Sequence, residues 1–310
     1  LIFMLGIVFF IGLVGIKGAI FGVATGGQYT VWGPPETFLE DNNDLGLALI
    51  IILPLSFYIK DLFKKKWVKI ASLGMTFSIM MSAALTYSRG ALLGLIAVAF
   101  FIVIRSKHKI VIGFVTVCII AVGINFLPDS WFDRMNSIKS YEEDRSAQMR
   151  INSWLTAISL AKAKPLGGGF DCFTIEMYEL YSPNPELGKR LSGGASTAHS
   201  IYFEVLAYHG FGGLFLYLLS IGLLYLSLGK LVRTFKKIPE LEWISIMSRA
   251  CMISIIGFLV SGAFLSRGFF DLFWAVYAFG ACLLSYVNSG GWMNELQNEE
   301  NDANEALQPG

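Results

Sequence analysis

Leu85-Thr86-Tyr87-Ser88-Arg89-Gly90-Ala91-Leu92 joins two long apolar segments with almost no loop between them. Residues 70–88 and 90–104 carry no charge, so Arg89 stands alone at their boundary. A cation in such a place, with no carboxylate near it in sequence, must be stabilised by something. One reading is an arginine snorkelling to lipid headgroups. The other is a site that binds an anion. Both require the flanking segments to cross a membrane and the hairpin between them to turn at its surface.

The composition agrees with a membrane chain. Of 310 residues, 55% are hydrophobic and only 15% charged, and the mean hydropathy is +0.59, beyond an ordinary soluble domain. Charge-free stretches recur at 1–16, 45–59, 70–88, 90–104, 110–128, 205–229, 250–266 and 272–294. With flanking polar residues they give about eight spanning helices. Continuous apolar runs, as opposed to alternating ones, exclude a transmembrane β-barrel. The expected fold is therefore an all-α polytopic helical bundle, a membrane domain over residues 1–288. Leu1 opens inside an apolar run with no basic region before it, which reads as a piece of a longer membrane chain and not as a signal peptide. A net charge of +1 gives no footprint for nucleic acid.

Three short connections are basic. Lys60, Lys64, Lys65, Lys66 and Lys69 lie in one, Arg105, Lys107 and Lys109 in a second, and Lys230, Arg233, Lys236 and Lys237 in a third. They alternate consistently with eight spans, so the positive-inside rule turns all three to the cytoplasm. The acidic tail at 289–310, with Glu295, Glu299, Glu300, Asp302 and Glu305, falls on the same side and reads as disordered. Arg249, at the start of its helix, reaches that interface too. The external side then receives residues 25–44, the Tyr87–Gly90 hairpin, a long loop at 129–199 and the Ser266–Asp271 hairpin.

Cysteines and histidines say less. Cys118, Cys251 and Cys282 lie in apolar segments, where cysteine behaves as a small hydrophobe, and Cys172 has no partner in its loop, so no disulfide framework is expected. His108, His199 and His209 are scattered, and nothing has metal-ligand spacing. The sequence implies neither a metal nor another cofactor. His209, before Gly210-Phe211-Gly212-Gly213, marks a kink.

The external pieces carry the chemistry. Gly26, Gly27, Pro34 and Pro35 set turns in 25–44, with Tyr29 and Trp32 at interface level. In the long loop an amphipathic helix is expected near 146–163. Met149, Ile151, Trp154, Leu155 and Ile158 form its apolar stripe, laid on the membrane surface, while Asn152, Ser153 and Lys162 face elsewhere. Pro165-Leu166-Gly167-Gly168-Gly169 ends it. Arg150 sits at the stripe's edge, four residues before Trp154, as a snorkelling cation or an anion binder. Asp133, Arg134, Glu142, Glu143, Asp144 and Arg145 form a solvated approach. Ser196 or Thr197 is the expected N-cap of the next helix, which puts His199 in its first turn. There the helix dipole disfavours imidazolium, and a neutral imidazole can accept a proton from a hydroxyl. A capping or structural histidine is the plainer alternative. Tyr202, at i+3, shares the face of His199 and is a weaker substrate-side candidate.

Arg267 lies in a second Ser-Arg-Gly turn on the same side as Arg89 and Arg150. Planar guanidinium groups suit a diphosphate, because they donate paired hydrogen bonds and stay charged.

Three segments carry a family resemblance: Leu85–Gly94 (LTYSRGALLG), Arg150–Ala157 (RINSWLTA) with Pro165–Phe170 (PLGGGF), and Ala198–Phe211 (AHSIYFEVLAYHGF). In that order and spacing the chain resembles the O-antigen ligase and polymerase superfamily. Tyr29–Pro35 (YTVWGPP), Asp41-Asn42-Asn43 and Asp133–Asp144 look like its O-glycosylation ligases associated with exosortase A systems. The resemblance implies a GT-C-type, metal-independent, inverting glycosyltransferase in the bacterial inner membrane, with its site facing the periplasm. It implies an undecaprenyl-diphosphate-linked glycan as donor and a hydroxyl on a protein, lipid or glycan as acceptor. It carries catalytic roles to Arg89, Arg150 and His199 and none to Arg267. A glycan polymerase of the same superfamily and a flippase for lipid-linked oligosaccharides are the alternatives.

Overall fold

A computed structural model describes residues 1–106, 109–110, 113, 145–189 and 194–293. The expected span at 110–128, the charged approach at 133–144 and the tail from 294 onward lie outside the described residues.

Nine α-helices follow in order: α1 (Ile2–Ala24), α2 (Asn42–Leu62), α3 (Lys66–Leu85), α4 (Arg89–Arg105), α5 (Arg145–Ala163), α6 (Ile175–Tyr181), α7 (Ile201–Phe235), α8 (Glu242–Gly262) and α9 (Asp271–Asn288), among the described residues. Short 3₁₀ turns lie at Pro185–Gly188 and Pro239–Leu241. The protein is an all-α polytopic membrane protein. Six of the described helices are long and apolar enough to cross a bilayer: α1, α2, α3, α7, α8 and α9. At 17 residues, α4 is shorter than the roughly 20 that span hydrocarbon.

Two helices form the centre. The spanning windows of α2 and α8 are 72% and 78% buried, against 22–33% for the other four. Lipid tails are as apolar as leucine, so side-chain polarity and small residues hold such helices together. Ser254 Oγ on α8 donates to the Ile51 carbonyl of α2 at 2.6 Å. Ser72 Oγ donates to the Ser56 carbonyl at 2.6 Å, and the Ser56 and Thr76 hydroxyls pair at 2.9 Å, tying α2 to α3. Gly12, Gly15, Gly18 and Gly22 line one face of α1, and side chains of α3 (Met75, Ile79, Ser82 and Leu85) fill the space a Cβ would take.

The chain alternates direction, so the connections sort to two ends. One end has Lys60–Lys69, Arg105, Arg233 and Arg249. The other gathers the 25–41 loop, the α3–α4 hairpin, α5 with α6, and the α8–α9 connection. At this second end Tyr87 Oη donates to the Gly27 carbonyl at 2.6 Å, and Asn42 Nδ2 to the Thr86 carbonyl at 2.7 Å.

Helix α7 breaks at Gly210, whose φ of 67° and ψ of −170° are non-helical, as the glycines after His209 led us to expect. Such backbone is open essentially to glycine alone. The break frees carbonyls of the preceding turn, and the Pro165–Gly169 loop takes them. Gly168 N–H donates to the Ala207 carbonyl at 2.8 Å and Gly169 N–H to Tyr208 at 3.1 Å. A Cβ at Gly210 would run into the Pro165 carbonyl.

On α5 the residues that face away from the apolar stripe are the ones packed against the protein. Its buried face is Asn152, Ser153, Thr156, Ala157, Leu160 and Ala161, and Leu155 of the apolar stripe is 44% exposed. Partners explain why polar residues pack inward: Asn152 bonds Ser182 and Asn184, and Ser153 Oγ meets Tyr178 Oη at 2.6 Å.

Candidate functional site

The hairpin that carries Arg89 is built for its turn. Tyr87 adopts a left-handed φ of 56°, its ring tied down through the bond to Gly27. Ser88 caps α4 by accepting from Ala91 N–H at 3.3 Å, leaving half-buried Arg89 as the first helical residue. Next to it, a Cβ on Gly90 would lie 2.9 Å from the Ser261 carbonyl. The α4 start is therefore pressed against the end of α8.

His199 does not sit where its expected cap would put it. The N-cap of α7 is Ser200, not Ser196 or Thr197, and both of those earlier residues lie outside the helix. His199 precedes the cap in a left-handed conformation with φ 47°. Its N–H donates to Ser266 Oγ at 2.6 Å, so the α8–α9 connection fixes the backbone. With His199 outside the helix, the i+3 relation to Tyr202 lapses. Tyr202 Oη instead donates to the Leu259 carbonyl of α8 at 2.8 Å.

Arg150 reaches the same neighbourhood on α5. One turn on from it, Trp154 Nε1 donates to the Ala198 carbonyl at 2.8 Å, immediately before His199. The Trp154 indole also stacks on Phe203 of α7 with centroids 5.0 Å apart. Arg150 is half-buried. The Arg150 and His199 segments thus touch directly, and the Arg89 segment meets the end of α8, whose connection to α9 holds His199.

Arg267 has a carboxylate partner that its surroundings in sequence hide. Nε donates to Asp44 Oδ1 at 2.7 Å and Nη2 to Oδ2, a two-pronged grip on a carboxylate whose side chain is 4% exposed. Hydrogen bonding to Asp44 pushes the guanidinium further above its ordinary pKa. Gly268 N–H donates to Glu204 Oε2 at 2.6 Å. The Ser266–Gly268 turn therefore holds three things at once: His199, the start of α2, and the first turn of α7.

Asp44, Glu204 and Ser266 were not singled out in the sequence. A charge at the edge of an apolar run flags Asp44 and Glu204 but names no partner, and nothing flags Ser266. Cys172 is buried, which pushes its thiol up to about 11 and leaves little nucleophilic thiolate at neutral pH.

Chemically, the end offers cations suited to a phosphate, an imidazole on a fixed backbone, and two buried carboxylates already engaged. The fold and this grouping define a polytopic helical membrane protein with a polar site at one end of its bundle. Residues 74–218, from α3 into α7, match the family model described as O-antigen ligase, and Arg89, Arg150 and His199 all fall inside the match. This likeness supports a ligase- or polymerase-type membrane function. No curated protein matches the chain.

Proposed function

We propose that the protein is a glycosyltransferase of the O-antigen ligase type, moving a glycan from undecaprenyl diphosphate to an acceptor hydroxyl at the periplasmic face of the inner membrane. The observation that supports this reading is that the Arg150 and His199 segments touch and the Arg89 segment is linked to them through the end of α8, with all three residues inside the matched stretch. A reaction of this class breaks the bond from the anomeric carbon to the diphosphate oxygen and forms one to the acceptor oxygen. Arg89 and Arg150 hold the diphosphate and stabilise the charge it gains on leaving. His199 takes the acceptor proton, or orients the hydroxyl, so that attack comes from the opposite face with inversion. Arg267 neutralises Asp44, which would otherwise repel an approaching phosphate, and the exposed half of its side chain is a secondary substrate contact. Tyr202 acts from behind, by holding α7 on α8. Ser266 positions His199. The O-glycosylation ligases associated with exosortase A systems remain the subgroup of choice.

The test uses the protein in membranes with an undecaprenyl-diphosphate-linked glycan and a panel of acceptors. Release of undecaprenyl diphosphate together with sugar transfer, lost in His199→Ala and Arg89→Ala at normal protein levels, is the expected result. Transfer that survives both substitutions overturns the site. The acceptor used separates a ligase from a polymerase, and movement of the intact donor between leaflets without transfer identifies a flippase.

A further inference from the structure

Lys17 is a charge within a spanning helix. It lies seven residues before the end of α1, about 10 Å down the axis at ~1.5 Å per residue. An ionisable residue at membrane depth is rarely there without a partner. Lys17 nevertheless makes no ion pair or hydrogen bond among the described residues.

Its direction matters. Val14, Lys17, Gly18 and Phe21 recur at helical spacing and form one wall of a half-open cavity of about 200 Å³, lined on the other side by Thr30, Val31, Trp32, Gly33 and Pro34, with Lys17 exposed at its edge. Lys17 therefore stands on the face of α1 turned toward the loop. The loop is held in place: Val31 is buried and its N–H donates to the Leu85 carbonyl at 2.9 Å, and Gly33 N–H donates to Glu40 at 3.1 Å. Gly18 lets it come close, since a Cβ there would lie 2.8 Å from Val31 Cγ1. Lys17 is the only charged residue of the lining, beside the Thr30 hydroxyl and the exposed Trp32 ring.

We propose that this cavity binds the phosphate of a membrane lipid, with Lys17 as the counter-ion and Trp32 covering the group esterified to it. The walls are apolar apart from one ammonium and one hydroxyl, which suits a single anionic headgroup with its chains left in the bilayer. Lys17 answers a phosphate as a compact point charge. Two sources share this chemistry: an anionic phospholipid, and a polyprenyl diphosphate. Binding here does not depend on any transfer reaction.

The test is lipid retention by the intact protein, read by native mass spectrometry after reconstitution with phosphatidylcholine, phosphatidylglycerol or undecaprenyl diphosphate. Lys17→Gln weakens retention of a phosphate-bearing lipid about fivefold, the equivalent of ~1 kcal/mol for one cation near a membrane surface. Lys17→Arg keeps it. A loss confined to phosphatidylglycerol assigns the cavity to bulk phospholipid, and a loss confined to undecaprenyl diphosphate assigns it to the polyprenyl lipid. Equal retention by wild type and Lys17→Gln for both lipids, with both variants folded by thermal melt, overturns the site.

Discussion

At the lysine-rich end, Arg105 and Arg249 lie against aromatic faces: Arg105 stands 5.7 Å from the Phe101 centroid and bonds Tyr225 Oη at 2.8 Å, and Arg249 stands 5.9 Å from Tyr58. At the opposite end, Arg267 grips a buried carboxylate with two donors. Backbone strain divides the same way. The left-handed residues other than glycine, among those described, are Glu36, Tyr87 and His199, all at the Arg89 end. Each such residue costs on the order of 1–3 kcal/mol and persists only where its surroundings fix it. One end thus anchors the bundle with side chains that tolerate slack. The other keeps a fixed geometry at a cost in stability, the usual mark of a site that does chemistry.

The largest test of this contrast is His199→Ala. On the proposed role of His199 as general base, the substitution lowers the transfer rate by roughly 10²- to 10⁴-fold, whereas Arg249→Gln leaves it unchanged. Radiolabelled glycan transfer measures both. Gly210→Ala comes next. It forces a side chain into a glycine-only conformation and against the Pro165 carbonyl, and costs about 3–4 kcal/mol, seen as a lowered unfolding midpoint in detergent. A wild-type midpoint would mean the Pro165–Gly169 loop is not seated on the break.

The Arg267–Asp44 pair should respond unevenly. Arg267→Gln leaves a buried carboxylate uncompensated and costs about 2–3 kcal/mol, while Asp44→Asn leaves only a half-exposed cation and costs about 1 kcal/mol. Denaturant titration of both variants checks the order, and equal costs would contradict it. Ser266→Ala lowers kcat about tenfold with KM unchanged, because His199 loses its backbone anchor. Ser266→Thr restores the rate, and in a His199→Ala background Ser266→Ala adds nothing. The smallest effect is at the other end: Arg105→Gln costs about 0.5–1 kcal/mol of stability and leaves transfer untouched.

Much of this arrangement could be read from the chain. The apolar runs gave the helical membrane fold, and the glycines after His209 gave the kink, because both follow from local chemistry. The grip of Arg267 on Asp44 was hidden, since the partners are 223 residues apart and each looked like a lone charge. On α5 the stripe was legible, but not what its polar face packs on. An apolar stripe reports the buried face only when the surroundings are water. Beside a bilayer, Leu155 can be exposed while Asn152 and Ser153 pack inward. The cap of α7 was misplaced because hydroxyl chemistry did not choose it: Ser200 makes no side-chain capping bond, and the long-range contact of His199 N–H with Ser266 lies just before it.

The break at Gly210 has an effect on reach. Unbroken, the 35 residues of α7 would extend about 53 Å at ~1.5 Å per residue, beyond the ~40–45 Å of a bilayer with its headgroups. Residues 211–235 alone span about 38 Å, which fits a bilayer, and the break sets the nine residues before it apart from that length. On the proposed function, a lipid-tethered donor reaches these nine residues by lateral diffusion in its leaflet. A single glycine thus separates the length that crosses from the first turns of the helix, which carry Glu204 and follow His199.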